Sequence, residues 1–303
     1  MSLTMHHDQV YIDVDVARAM IADQFPEYRH VPVVPIAATG TENAIFRIGS
    51  DLSARFPLRS ATAAKQAERL QQEATAMEEF ARHCPVATPQ PIAIGKPGPR
   101  YPMPWLLQSW VDGEVATHDS HAASDTFALG LADLIRSLRS ADTRGRRFDR
   151  QGRGGHFPDH DDWMSICLDN SQGLLDVDRL RGLWARLRAL PRSAADIMNH
   201  GDLIPANLLV RGEHLVGVLD CGGFGPADPA LDLVAAWHLH DRDRREIVRS
   251  RLGSDDVEWK RGAAWAFQQA MGLVWYYRST NPAMSTLGRS TLARILDETY
   301  LVC

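Results

Sequence analysis

Cysteine is scarce: Cys84, Cys167, Cys221 and Cys303 are the only four in 303 residues, and no two form a CxxC pair. That excludes a disulfide framework and a cysteine metal site, and predicts a reduced, cytoplasmic setting. Basic charge is not in excess. Lysine and arginine number 33 against 38 acidic residues, a net charge of -5, so no nucleic-acid partner is expected. No apolar run is long enough to span a membrane, and the N-terminal stretch has no apolar signal core. Internal repeats and long low-complexity tracts are also missing.

What is present is ordinary for a globular chain: 45% hydrophobic and 23% charged residues. The length suits two domains. Asp13 is placed to cap a first helix carrying Val16, Met20 and Ile21. Strand-like stretches follow at Val31–Ala38, Ala44–Ile48 and Leu52–Phe56. Ser60 is the expected cap of a second helix, with a stripe at Ala67, Leu70, Ala74, Met77 and Ala81. Prolines crowd residues 85–104 and exclude a continuous helix there. A short strand, Trp105–Gln108, leads to a boundary near residue 110. The remainder reads as mostly helical, with a Gly-Arg-rich surface loop from Arg144 to Gly155. The expectation is an α+β chain with a β-rich domain over 1–110 and an α-rich domain over 111–303.

The densest chemical signal runs from Ile197 to Leu233. It contains His200-Gly201-Asp202-Leu203-Ile204-Pro205-Ala206-Asn207, then two apolar runs around Gly212, ending at Asp220. The runs should pair as a hairpin with Asn207 and Asp220 opposite one another at its open end. An amide and two carboxylates gathered there suit Mg²⁺, which takes oxygen ligands and leaves positions for water and phosphate. Phosphoryl transfer needs such a metal and a carboxylate that orients the attacking hydroxyl. Asp202 precedes Asn207 by five positions, the offset of the kinase catalytic loop H-R-D-x-x-x-x-N. Asp202 is therefore the expected base, and Asn207 and Asp220 the metal ligands.

At this point the chain resembles the aminoglycoside phosphotransferase family. The segment HGDLIPANLLV followed by VLD is similar to that family's catalytic and metal-binding signature, and GPADPALDLVAAW to the segment after it. The resemblance runs from about Val33 to the C-terminus. It implies a bilobal protein-kinase-like fold and transfer of the γ-phosphate of ATP or GTP to a hydroxyl. It also implies a loop-bracing role for His200. Asp228 and Asp232 read from the residues alone as helix-capping positions, with Pro229 at the first helical position. Only seven residues separate Asp220 from Asp228, too few for a protein kinase's activation segment, so the expected acceptor is a small molecule.

In the first domain, Gly40, Thr41 and Asn43 lie at a turn whose backbone N–H groups are placed to cover phosphates. The third strand should carry a phosphate-pairing lysine. Arg55 stands there instead, with Arg59 next in line and Glu73 as its expected acidic partner. LLQSWVDG resembles the family's inter-lobe hinge, which implies adenine recognition through backbone groups of Ser109 and Val111.

For the acceptor, Asp159, Asp161 and Asp162 offer an acidic group for a polyamine sugar, although such runs are more often solvated faces. Trp163, Trp237, Trp275, Tyr276 and Tyr277 offer a lining for a bulkier apolar compound, although such aromatics are more often core. An aminoglycoside is the leading acceptor. A macrolide or amino alcohol is the alternative, and Arg55 with Cys221-Gly222 leaves a nucleotide-binding pseudokinase as a further one.

Overall fold

The computed structural model describes residues 10–36, 42–192 and 194–302. The chain divides into two compact units. One takes the chain up to Arg82 with Ala87–Asp112 and Asp220–Gly222. The other takes His83–Val86, Gly113–Leu219 and the chain from Gly223 onward.

The first unit opens with helix α1 (Val14–Gln24). Asp13 caps it by accepting the Val16 N–H at 2.8 Å. Strands β1 (Val33–Ile36), β2 (Asn43–Ile48) and β3 (Leu52–Pro57) follow, then helix α2 (Ala63–His83), β4 (Pro91–Gly95) and β5 (Trp105–Ser109). They form one antiparallel sheet in the order β1-β2-β3-β5-β4. Strand β4 lies inside the proline-crowded stretch, where the sequence excluded a continuous helix and named no strand before Trp105. It sits at a sheet edge, where proline's missing N–H costs no ladder bond, and Pro35 occupies the other edge in β1. Helix α2 is capped by Thr62, whose Oγ1 accepts the Lys65 N–H, rather than by Ser60. Its Leu70, Ala74 and Met77 are buried as the periodicity predicts.

The core of this unit is aromatic. Phe56 stacks on Trp105 at 4.7 Å and meets Tyr101 edge-on at 5.1 Å. A Cβ on Gly95 would fall 2.1 Å from the Trp105 ring, so only glycine lets β4 close over it.

The second unit contains β6 (Glu114–Val115), α3 (Asp125–Arg139), α4 (Asp161–Asn170), α5 (Val177–Leu187), β7 (Ile197–Asn199), β8 (Leu208–Arg211), β9 (His214–Val218) and β10 (Gly225–Ala227). Helices α6 (Val234–Leu239), α7 (Arg242–Leu252), α8 (Asp256–Tyr276), α9 (Pro282–Leu296) and α10 (Thr299–Val302) complete it. The β8–β9 hairpin forms where the two apolar runs predict it, with β6 added alongside and β7 paired to β10. Helix α8 is the spine. It packs on α4, α5, α6 and α9, and Trp265, Phe267, Met271 and Val274 on it are fully buried. Each such side chain contributes roughly 1.5–3 kcal/mol.

Among the described residues no helix is long and apolar enough to cross a membrane.

Candidate active site

The segment from His200 to Asn207 joins β7 to β8, and three features fix its path. Gly201 takes φ +87°, a left-handed conformation that any side chain would strain. His200 is buried, and the Asp202 N–H donates to its Nδ1 at 3.2 Å. A bare Nδ1 leaves the proton on Nε2, which donates to the Leu219 carbonyl at 2.8 Å. One imidazole thereby links the Asp202 N–H to the carbonyl at the end of β9.

Asp232 supplies the third constraint. Its two carboxylate oxygens accept the His200 N–H at 2.7 Å and the Gly201 N–H at 2.9 Å. Burial pushes its acid upward in pKa, while His200 and the two amides act against that push. This corrects the helix-capping expectation. Asp228 also differs. Its Oδ1 does cap a turn, accepting the Ala230 N–H at 3.0 Å. Its Oδ2 lies in a buried ion pair with Arg261 and accepts the Trp265 indole N–H at 2.9 Å. The first turn after it is a short 3-10 helix, Leu231–Leu233.

Asp202 sits at the head of this braced loop. Its Oδ1 accepts two hydrogen bonds, from Arg153 Nη2 at 2.5 Å and from Gln269 Nε2 at 2.9 Å. Its Oδ2 has only the Asn207 amide at 3.5 Å, the limit of a hydrogen bond. One oxygen is clamped and the other is open. Asn207 donates the same Nδ2 group to the Asp202 carbonyl at 2.9 Å, and its Oδ1 has no protein partner among the described residues.

Neither Arg153 nor Gln269 stood out in the sequence. Arg153 belongs to the stretch expected to be a surface loop, yet its end is pinned. Gly154 takes φ +113°, and a Cβ there would lie 2.7 Å from Ala227 Cβ. The Gly154 carbonyl accepts the Asp228 N–H at 2.8 Å. The Gly-Gly pair beside Arg153 was the available signal. Gln269 comes from the buried face of α8 and carried none. Behind it, His238 joins Gln269 at 3.1 Å and Thr291 at 2.7 Å.

The hairpin register differs from expectation. The tight turn sets Arg211 opposite His214, and an irregularity between Leu209 and Val210 moves the pairing by only one residue, so the Asn207 carbonyl accepts the N–H of Leu219, the residue before Asp220, at 2.8 Å. Asp220 itself takes φ +55°, a strained position for a non-glycine residue.

In the first unit, Arg55 extends from β3 to Asp220 Oδ1 at 3.1 Å. The expected Arg55–Glu73 pair is therefore not the one formed. Glu73 accepts from Arg69 Nε at 3.0 Å, and Arg69 also holds Glu42 at 2.9 Å. The i,i+4 spacing on α2 explains the preference. Glu73 nevertheless lies against the Asp220 segment, since a Cβ on Gly222 would stand 3.1 Å from its Cγ. Asn43, Arg59 and Glu73 line one recess with Glu42, Gln66 and Arg69. Gly40 and Thr41, with Thr39, lie outside the described residues. At the expected hinge, the Ser109 N–H is engaged by the Gln90 carbonyl at 2.9 Å and its hydroxyl by the Gln90 N–H at 2.8 Å. Val111 keeps its peptide groups free of hydrogen bonds among the described residues.

The acceptor candidates divide. Asp161 accepts from Arg188 and from the Trp184 indole, so it is a structural carboxylate. Asp159 and Asp162 are exposed. Trp237 is core, whereas Trp163 and Tyr276 are exposed.

The model of the phosphotransferase enzyme family, APH, matches residues 33–265. The chain belongs to this family. This phosphotransferase also shares its fold with solved structures. The GDP complex of an aminoglycoside 2'-phosphotransferase-IIIa matches at 19% identity and TM-score 0.67, over 93% of this chain and 98% of that one. A macrolide 2'-phosphotransferase, MphH from Brachybacterium faecium, matches at 17% and 0.61, over 92% and 97%. The streptomycin–ATP ternary complex of APH(2")-IIa matches at 14% and 0.57, over 94% and 97%. The family and kinase-like fold expected from the sequence are borne out. At these identities the structural likeness is one of fold.

Proposed function

We propose that this phosphotransferase moves the γ-phosphoryl group of ATP or GTP to a hydroxyl of a small molecule, with Asp202 as the base. The carrying observation is the asymmetry of the Asp202 carboxylate. Arg153 and Gln269 hold Oδ1, and Oδ2 is left open. In this reading the acceptor hydroxyl donates to Oδ2. Its oxygen forms a bond to the γ-phosphorus as the bond to the β,γ-bridging oxygen breaks. The hydroxyl proton passes to Oδ2, and the nucleoside diphosphate leaves.

Asn207 and Asp220 are the proposed ligands of Mg²⁺, and their chemistry fits. Asn207 keeps its amide oxygen unengaged, and Asp220 has one oxygen beyond the one held by Arg55. Among the described residues no three His, Cys, Asp or Glu side chains cluster to hold a metal. Nucleotide phosphates and water would therefore fill the remaining positions, as is usual for this ion. When bound, Mg²⁺ neutralises charge on the phosphates. Arg55, Arg59 and Asn43, with Gly40 and Thr41 by sequence, are the proposed phosphate-binding groups, and Glu73 is proposed to support them. Val111 is the proposed adenine contact, while the Ser109 N–H is already engaged and its carbonyl is the backbone group it has to offer.

Structures of similar fold were solved with kanamycin, gentamicin and streptomycin bound, which makes aminoglycosides the first compounds to try. Macrolides and small amino alcohols follow. The test is mass spectrometry of such a panel incubated with the protein, Mg²⁺ and ATP or GTP. A phosphate-sized gain is expected, reduced by roughly 10²–10⁴-fold in Asp202→Ala. Equal transfer by wild type and variant removes Asp202 from the mechanism. Nucleotide binding with no transfer to any compound supports the pseudokinase instead.

A further inference from the structure

We propose that Arg153 is a specificity-determining residue that binds an acidic oxyanion, a carboxylate or phosphate, carried by the acceptor close to its reacting hydroxyl. The inference rests on the reading of Asp202 as the base.

The geometry of Arg153 carries it. A guanidinium presents a fork of donors and pairs best with two carboxylate oxygens at once. Here the fork is mostly unused. Only Nη2 reaches Asp202, at a single oxygen that it shares with Gln269. Among the described residues Nε is buried without a hydrogen-bond partner and Nη1 makes no hydrogen bond, so Nη1 and Nη2 are the donors a ligand would meet. The Arg153 side chain keeps 27% of its exposure and Asp202 keeps 38%, so a ligand can reach both.

Among the described residues no second carboxylate bonds the fork. Asp161 is held by Arg188 and Trp184, Asp228 by Arg261 and Trp265, and Asp232 by the His200 and Gly201 amides. His160 stands near enough to feel the Arg153 charge, and burial favours its neutral form against the pull of Asp159. Nor is the arginine there by accident of a loose loop. Gly154 and Gly155 pack where a Cβ would clash with Ala227 and with the Phe148 ring, at 2.7 and 2.6 Å.

The consequence concerns substrate charge. The acceptor hydroxyl must approach Asp202 Oδ2, so atoms one or two bonds away come within reach of the guanidinium. An oxyanion there gains a charge-assisted hydrogen bond. An ammonium finds no unengaged acceptor there, since Asp202 Oδ1 already accepts two hydrogen bonds and Oδ2 faces the acceptor hydroxyl. A hydrogen bond to a charged group is worth roughly tenfold to a hundredfold in affinity.

Four three-carbon probes differ mainly in charge: glycerate, glycerol 3-phosphate, glycerol and 2-amino-1,3-propanediol. The thermal midpoint of the whole chain is measured with each, in wild type, Arg153→Gln and Arg153→Lys. One or both acidic probes should raise the wild-type midpoint, and which one does identifies the oxyanion. The neutral and cationic probes should not. Arg153→Gln should abolish the rise and Arg153→Lys should keep part of it, with unchanged far-ultraviolet circular dichroism in both. The same four compounds are then assayed for phosphate transfer, where Arg153→Gln should raise KM for the acidic acceptor about 10–100-fold more than it changes kcat. No rise with either acid, an equal rise with all four probes, or a rise that survives Arg153→Gln overturns the proposal. An Arg153-dependent rise without transfer would keep the oxyanion site and count against the kinase reading. Transfer indifferent to Arg153 would do the reverse.

Discussion

Replacing Asp232 should damage this protein more than any change at an exposed carboxylate, and in a graded way. Asp232 is 1% exposed and accepts two backbone N–H groups, one per oxygen. Asp232→Ala leaves both donors buried without partners. At about 1–3 kcal/mol for each orphaned group, the loss is about 2–6 kcal/mol. Asp232→Asn keeps the shape and one accepting oxygen but turns an NH₂ group toward the other donor. Its loss should be roughly half, about 1–3 kcal/mol. Against a typical stability of about 5–15 kcal/mol, the alanine variant approaches the unfolding threshold and the asparagine variant does not. Activity should fall further than stability in Asp232→Asn, because the freed amides belong to residues 200 and 201 and Asp202 follows directly. A misplacement of about 1 Å at such a group costs about 10²-fold. Urea denaturation gives the stability series, and turnover is measured where each variant is folded. An Asp232→Asn protein with the wild-type midpoint and turnover would refute the bracing argument.

Three further outcomes follow from other sites. Asp228→Ala strands the Arg261 guanidinium, with only the Leu190 and Pro191 carbonyls left to it; about 3–5 kcal/mol of stability should disappear in urea melts, and a loss below 1 kcal/mol would count against the pair. Acid should destabilise the fold through His238 and His240, which burial holds at about 4 from an ordinary value of 6.5. Between those pH values the unfolded chain binds two protons that the folded chain refuses, so stability falls as pH drops from 6.5 toward 4, by about 1.4 kcal/mol per pH unit for each histidine. His240→Phe should remove about half of that slope, and an unchanged slope would exclude His240 from it. Asp220→Ala should weaken Mg²⁺–nucleotide binding by at least about tenfold in calorimetry; unaltered affinity would remove Asp220 from the metal site.

Much of the fold was legible because it depends on local rules. The Asp13 cap, the α2 stripe and the β8–β9 hairpin all follow from side-chain period and turn chemistry. Strand β4 went unassigned in the proline-rich stretch, where only a helix was excluded; Pro91 is tolerated because the strand is an edge, and edge position is a property of the assembled sheet. The hairpin register was misjudged because the strands turn tightly, with Arg211 opposite His214; the irregularity between Leu209 and Val210 recovers one residue and still leaves Asn207 bonded to Leu219.

The ion pairs divide along the same line. Arg69 takes Glu73 because the two lie four apart on one helix, a relation visible in the sequence once it is sought. Arg55 takes Asp220 across 165 positions, which no spacing rule anticipates.

By itself, then, the sequence determined the loop from His200 to Asn207, its likeness to a phosphotransferase signature, and the residue types able to handle a proton and a metal. These reside in consecutive residues, where spacing alone carries the information. Tertiary structure decided which oxygen of Asp202 is open, because Arg153 and Gln269 arrive from segments 49 positions before and 67 after it. Hydrogen bonding acts through space and is indifferent to chain separation, so the clamp on Oδ1 exists only once the loop ending in Gly154 and the buried face of α8 have packed around it.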